Sequence, residues 1–244
     1  MTASGRNVTT RSRSLNAWQE WRKIILLHVG NDIVDLTDPH NRGKSRNTRF
    51  INRVFTINER KQIFDATDPD TILWALWGGK ETAYKIVSKR YASVPSVPRL
   101  YEVTLHGVER SDRSGEYSSG GNFRTGFVDT PYERIYIRIF TTRDYVHSVG
   151  TTSSSEAIHS VVWQISGIDP DAQNSPDYES MHVRKALIKH LSKYIDENPE
   201  DIVVKKSKGA NGLEPPFVYI NGRRAEVDIS LSHDGLFTAY AFSF

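Results

Sequence analysis

The sequence predicts an α+β fold of mostly antiparallel strands with one long helix in each half. Three observations predict it. Two stretches, Thr71 to Arg90 and Met181 to Ile195, carry apolar residues at helical spacing. Short segments at Leu100 to His106, Arg134 to Phe140, Tyr145 to Val149 and Ile158 to Ile165, then Ile202 to Lys205, Phe217 to Ile220, Val227 to Ser232 and Leu236 to Phe242, read as strands. The dipeptides Asn221-Gly222 and Asp234-Gly235 fall where two-residue hairpin turns join such strands.

The elements follow in order. Residues 1–23 read as a basic, poorly ordered tail: Arg6, Arg11, Arg13, Arg22 and Lys23 face the single acid Glu20. As a transit peptide this stretch lacks a cleavage signal, and as a nucleic-acid arm it lacks interleaved aromatics, so no nucleic-acid partner is expected. Ile24 to Val29 suits a buried strand ending at Gly30, Asn31 and Asp32, which places a carboxylate at a strand terminus. Arg42 to Arg60 mixes basic and apolar residues, and Thr56 with Glu59 fits the start of a capped helix.

Asp70 is placed to cap the helix at Thr71 to Arg90, whose apolar face is Ile72, Leu73, Leu76, Ala83, Tyr84 and Val87. Gly78 and Gly79 interrupt it: either a backbone or ligand comes close there, or the helix begins after them. Ser111 to Thr130, almost without apolar residues, reads as a mobile loop, and Ala172 to Pro176 as a linker. The chain thus divides into a first lobe at 24–170 and a second at 177–244. In the second, Val183, Leu187, Leu191, Tyr194 and Ile195 share one helical side, closed by Asn198 and Pro199.

Composition narrows the chemistry. The chain's 244 residues, 38% hydrophobic and 11% aromatic, can bury one large core or two half-size ones. With no cysteine, disulfides, thiolate zinc sites and cysteine nucleophiles are excluded, and hard cations on oxygen ligands become the natural metals. No apolar run approaches the roughly 20 residues of a membrane span, so a soluble, cytoplasmic protein is expected.

Asp32 and Glu81 are the leading candidates for a metal site, with Lys80 and Lys85 beside Glu81 on one helix. A fold packing that helix across the Asp32 strand brings two carboxylates and two ammonium groups together, a set suited to magnesium and phosphate. The plainer reading is an ordinary Glu81–Lys85 pair one turn apart on a solvated face. Asp35, three along a strand from Asp32, faces the other way. Ser232 and His233, at a strand end before a tight turn, can hold a phosphate or can be plain surface residues. Lys205, Lys206 and Lys208 are a further phosphate candidate or simply a solvated turn.

VGNDIVDL at Val29 to Leu36 and WGGKETAYK at Trp77 to Lys85 resemble the two signature blocks of the phosphopantetheinyl transferase superfamily, a G-x-D strand end and a W-x-x-K-E-x-x-x-K helix. RKALIKHL, PEDIVV, PPFVYINGR and DISLSHDGLFTAYAF, in that order, resemble the amino-terminal half of the two-lobed, surfactin-synthetase-activating type. In that type the S-H block comes first; here it comes last, as in a circular permutation. The short holo-acyl-carrier-protein synthases have the same block order but work as trimers, and this chain is about twice their length.

The resemblance implies a pseudo-dimeric monomer of two similar lobes, each a small sheet on a long helix, with the site between them. It implies Asp32 and Glu81 as magnesium (or manganese) ligands, and Lys80 and Lys85 beside the pyrophosphate of coenzyme A. Ser232 and His233 would hold a nucleotide phosphate, and Glu81 would be the base, with Lys85 assisting catalysis. The implied activity is transfer of 4'-phosphopantetheine from coenzyme A to a serine of an acyl carrier protein, as in fatty acid biosynthesis. A catalytically idle module binding coenzyme A or a carrier is the alternative. Val34 stands where the two-lobed type usually has a second acid, so a water is expected at that metal position.

Overall fold

The computed structural model describes residues 27–110, 122–172, 177–206, 208–209, 212–213 and 215–244, and the basic tail lies outside them. Strands β1 (Val29–Asp35), β2 (Glu102–Arg110), β3 (Asn122–Asp129), β4 (Arg134–Thr141) and β5 (Tyr145–Thr151) form an antiparallel sheet in the order β1-β5-β4-β3-β2. Before β2 come two short helices, α1 (Thr48–Val54) and α2 (Ile57–Phe64), and the long α3 (Pro69–Arg90). The core of this lobe lies between α3 and one face of the sheet, built from Leu73, Leu76, Ala83, Ile86, Ile135, Ile137 and Ile139 among others.

Helix α3 starts two residues earlier than the pattern suggested. Asp68 is its cap, accepting from the Thr71 amide (3.2 Å) and hydroxyl (2.7 Å), and Pro69 takes the first helical position. Asp70 instead holds the amides of Gly43 (2.6 Å) and Ser45 (2.8 Å) in the preceding segment. Gly78 and Gly79 lie inside the helix, buried, so the close-approach reading is the correct one. A β-carbon on Gly79 would stand 3.1 to 3.3 Å from Ile137 and Val103, and one on Gly30 of the facing strand only 2.4 Å from the Thr82 carbonyl oxygen. Gly30→Ala is therefore expected to cost about 1–3 kcal/mol by overpacking, read as a lower urea midpoint.

β1 lies later than expected: Leu27 and His28 are outside it, it starts at Val29 and it contains Gly30, Asn31 and Asp32, so Asp32 sits mid-strand. The expected loop is also corrected. Residues 122–129 are β3, paired with β4 from Phe123 to Asp129, and 111–121 lie outside the described residues. Polar content misled there because half of the strand's residues face away from the core, while Val128 is the one apolar side chain of the strand that is fully buried among the described residues.

The second lobe takes one strand from before the linker. β6 (Val162–Gly167), which precedes the expected linker, pairs with the last strand. Then come α4 (Tyr178–Ile195), β7 (Ile202–Lys205), β8 (Lys208–Gly209), β9 (Gly212–Leu213), β10 (Phe217–Ile220), β11 (Arg223–Arg224), β12 (Asp228–Asp234) and β13 (Phe237–Ser243). They form sheets β12-β13-β6, β11-β10-β7 and β8-β9. Asn221 and Gly222 supply the positive φ angles, 51° and 76°, of the β10–β11 turn, and Gly235 does so, at 53°, after β12. Helix α4 ends at Asp196, which adopts the left-handed conformation (φ 55°).

The hairpin β12–β13 has one bulky and one small face. Ile229, Tyr240 and Phe242 pack against Val183, Leu187 and Leu191 of α4. Ser230 and Ser232, paired in register with Ala241 and Ala239, form the other face. That small face receives the outer edge of β1. The amides of Val29, Asn31 and Asp35 donate to Asp228 Oδ2 (2.7 Å), Ser230 Oγ (2.9 Å) and Asp234 Oδ2 (2.8 Å), each acceptor 199 positions further along. The constant offset means that β1 and β12 run in the same direction. Side chains of β12 thus satisfy backbone donors that an edge strand would otherwise leave open.

Candidate active site

Because side chains alternate along β1, Asp32 points toward α3 while Asn31 and Asp35 point toward the second lobe. Asp35 follows the expectation that it faces away from Asp32: it accepts from Thr37 N (2.7 Å) and from Leu236 N across the seam (2.8 Å). Asp32 meets Lys85, whose ammonium lies 2.8 Å from Asp32 Oδ1 and donates to the Asn31 carbonyl, also at 2.8 Å. Gly78 opens the space beside them, since a β-carbon there would stand 3.9 Å from Asp32 Oδ2.

Glu81 lies one helical turn from both Gly78 and Lys85 and is partly buried. It makes no hydrogen bond or ion pair among the described residues, so the simple Glu81–Lys85 pair is not formed; Lys85 turns to Asp32 instead. Burial raises the Glu81 carboxyl above the usual range, and the neighbouring Asp32 charge raises it further. Burial also raises Asp32, with Lys85 pulling in the other direction. Two carboxyls that disfavour each other's ionisation, one of them without a partner, fit a divalent cation, which would relieve the repulsion. No group of three or more metal-ligating side chains occurs among the described residues, so two protein carboxylates would leave most positions to water and substrate oxygens.

Lys80 is not brought to this site. Its ammonium is buried, 2.6 Å from Glu59 of α2, and donates to the carbonyls of Pro98 and Tyr101. Successive residues on a helix are turned by about 100°, which takes Lys80 off the stripe shared by Gly78, Glu81 and Lys85. Ser232 and His233 are likewise separated, being neighbours on a strand. Ser232 is buried in the seam, where it accepts from Asn31 Nδ2 (2.8 Å). His233 lies on the opposite face, its Nδ1 2.7 Å from Glu179 Oε2 of α4, and still lowers the Asp32 pKa by its charge.

Two further cations gather here. Burial lowers the Lys206 ammonium, and the charges of Lys85 and Arg184 lower it further. Lys206, just past β7, therefore feels the charges of both Lys85 of α3 and Arg184 of α4, an arrangement suited to a polyanion. Arg184 was missed in the sequence, although it stands between Val183 and Leu187 on an otherwise legible amphipathic helix.

His147 was missed as well. It is fully buried beneath Trp163 and Phe140, with ring centroids 5.2 and 6.2 Å away, and neither ring nitrogen has a hydrogen-bond partner among the described residues. Burial first, and Lys85 second, lower its pKa to about 3. The neutral form is kept in the fold, while the unfolded chain protonates near 6.5, so stability is intact above that pH and lost as pH falls from there toward 3. The loss should reach about 1.4 kcal/mol per pH unit. His147→Phe is expected to flatten this slope in urea titrations between pH 6.5 and 4.

Residues 28–149, half of the chain, match the family model of the 4'-phosphopantetheinyl transferase superfamily. The chain belongs to this superfamily. A stretch of 69 residues, 28% of the chain, is 29% identical to a holo-[acyl-carrier-protein] synthase of Chlamydia pneumoniae and covers 57% of that protein's length. The superfamily match contains β1, α3 and the greater part of β5, and hence Asp32, Glu81 and Lys85. Arg184, Lys206, Ser232 and His233 lie beyond it. No helix among the described residues is long and apolar enough to cross a membrane.

Proposed function

We propose that this protein transfers the 4'-phosphopantetheine group of coenzyme A to a serine of an acyl carrier protein. One observation carries the reading: the Glu81 carboxylate, unpaired among the described residues, stands beside the Asp32–Lys85 ion pair, with Lys206 near the same lysine and Arg184 near Lys206. Asp32 and Glu81 would hold magnesium, or manganese, which when bound would neutralise charge on the pyrophosphate. Lys85 faces the same phosphates, and Arg184, Lys206, Ser232 and His233 are the candidates for the nucleotide end.

Glu81, directly or through water, takes the proton of the carrier serine as its oxygen attacks the β-phosphorus. The bond from that phosphorus to the bridging oxygen breaks, and adenosine 3',5'-bisphosphate leaves. The raised Glu81 pKa suits a group that must accept a proton. Positioning and electrostatics supply the acceleration, and the enzyme needs no nucleophile of its own.

We further infer a monomer of two lobes, related to the two-lobed type with its halves in swapped order; a second sheet on a second long helix supports this. Carrier proteins are acidic, and the exposed Arg46, Arg49 and Arg53 precede α2 in the chain, which exposes Ile57 (72%) and Phe64 (58%) on one side. That basic and apolar surface is the proposed carrier dock. Reversing the three arginine charges should raise the KM for the carrier at least tenfold and weaken its salt dependence.

The deciding experiment is the intact mass of an apo carrier protein after incubation with this protein, coenzyme A and magnesium. A gain of one phosphopantetheine, abolished by chelator and by Asp32→Ala with Glu81→Ala, is the expected result. No gain with several carriers, with coenzyme A still bound, would leave a binding module in place of an enzyme.

A further inference from the structure

We propose that Asn31 is a positioning residue that prepares the Ser232 hydroxyl to donate to a phosphate of the substrate, an inference that rests on the transfer activity proposed above. Asn31 is wholly buried and touches both halves of the candidate site. Its carbonyl receives Lys85 Nζ (2.8 Å), its amide donates to Ser230 Oγ (2.9 Å), and its side-chain Nδ2 donates to Ser232 Oγ (2.8 Å).

The direction of that last bond matters. A serine hydroxyl has one proton and two lone pairs. Since Asn31 donates into the oxygen, the proton of Ser232 is left for an acceptor, and its only acceptor among the described residues is the Ala239 carbonyl at 3.5 Å, the outer limit of a hydrogen bond. A phosphate oxygen, charged and able to approach more closely, would displace so long a contact. The arrangement also has a cost that packing alone would not retain. Asn31 Oδ1 is buried without a partner among the described residues, a penalty that an apolar residue of similar size would avoid. The amide is therefore held at this position for what Nδ2 does.

Three variants test this: Asn31→Ala, Asn31→Asp and Ser232→Ala. Asn31→Asp keeps the shape but reverses the bond, since a carboxylate at 31 takes the Ser232 proton. Each single variant should raise the KM for coenzyme A about tenfold, the worth of one hydrogen bond to a charged group, with kcat within about twofold. Combining Asn31→Ala with Ser232→Ala should add nothing further, because both remove the same donor. A purely structural Asn31 would lower the melting temperature and the active fraction at unchanged KM, and that outcome overturns the proposal. So does an unchanged KM in Asn31→Asp, which decides the matter if Asn31→Ala fails to fold. Calorimetric binding of coenzyme A reads the same weakening without turnover. If the parent protein binds coenzyme A but modifies no carrier, the function proposal fails while the role of Asn31 is still measured.

Discussion

Glu59→Gln is expected to destabilise the protein by about 3–5 kcal/mol, the cost of leaving a buried charge without its partner. The two side chains of the Lys80–Glu59 pair are 1% and 0% exposed. Glu59 has further duties: it accepts from the amides of Val103 (2.7 Å) and Thr56 (2.8 Å), the second closing the capping box of α2. A glutamine keeps the shape and can keep one of these bonds, but it cannot balance the ammonium. Burial already lowers the Lys80 pKa, so the folded state binds its proton less readily than the unfolded chain does. Stability therefore rises as pH climbs through the folded pKa toward the unfolded one, and the deficit of Glu59→Gln should shrink in alkaline buffer. Lys80→Met should cost less, because Glu59 keeps its two amide donors. Urea midpoints at two pH values measure all of this, and equal losses for the two variants would contradict the account.

The second large effect is opposite in kind. Glu81→Gln should cut carrier modification by about a thousandfold, within the range for loss of a general base, while the protein melts no lower than before. The carboxyl is raised by burial and by Asp32, so it contributes stability only below its unfolded pKa and loses it as pH rises through the folded value. Removing the charge removes that loss near neutral pH. A variant both inactive and more stable is the signature of a group kept for chemistry at the expense of the fold. If Glu81→Gln melted several degrees lower with activity intact, Glu81 would be a structural residue. The measurements are intact mass against time and thermal unfolding.

Much of this was legible in the residues. The run Val227 to Ser232 announced a strand leading into a tight turn, and the two glycines of α3 offered a close crossing as one of two readings, because both depend on spacing along a single element. What stayed hidden depends on partners far away in sequence. Lys80 looked like a site residue because Glu81 beside it is a candidate, but Glu59, 21 positions earlier, and the carbonyls of Pro98 and Tyr101 draw it into the core. β3 looked like a loop because its pairing with β2 and β4 supplies what its composition lacks. The cation cluster escaped notice because Arg184, Lys206 and Lys85 come from separate elements.

The seam between the lobes also sets a clock. The donors along β1 wait for acceptors 199 residues later in the chain. At a synthesis rate of about 5–20 residues per second, that interval lasts roughly 10–40 seconds on the ribosome. Throughout it the first sheet can fold with one side still open and able to pair with any other nascent strand. Low temperature or slow codons late in the message should therefore reduce soluble yield more than comparable delays early in it.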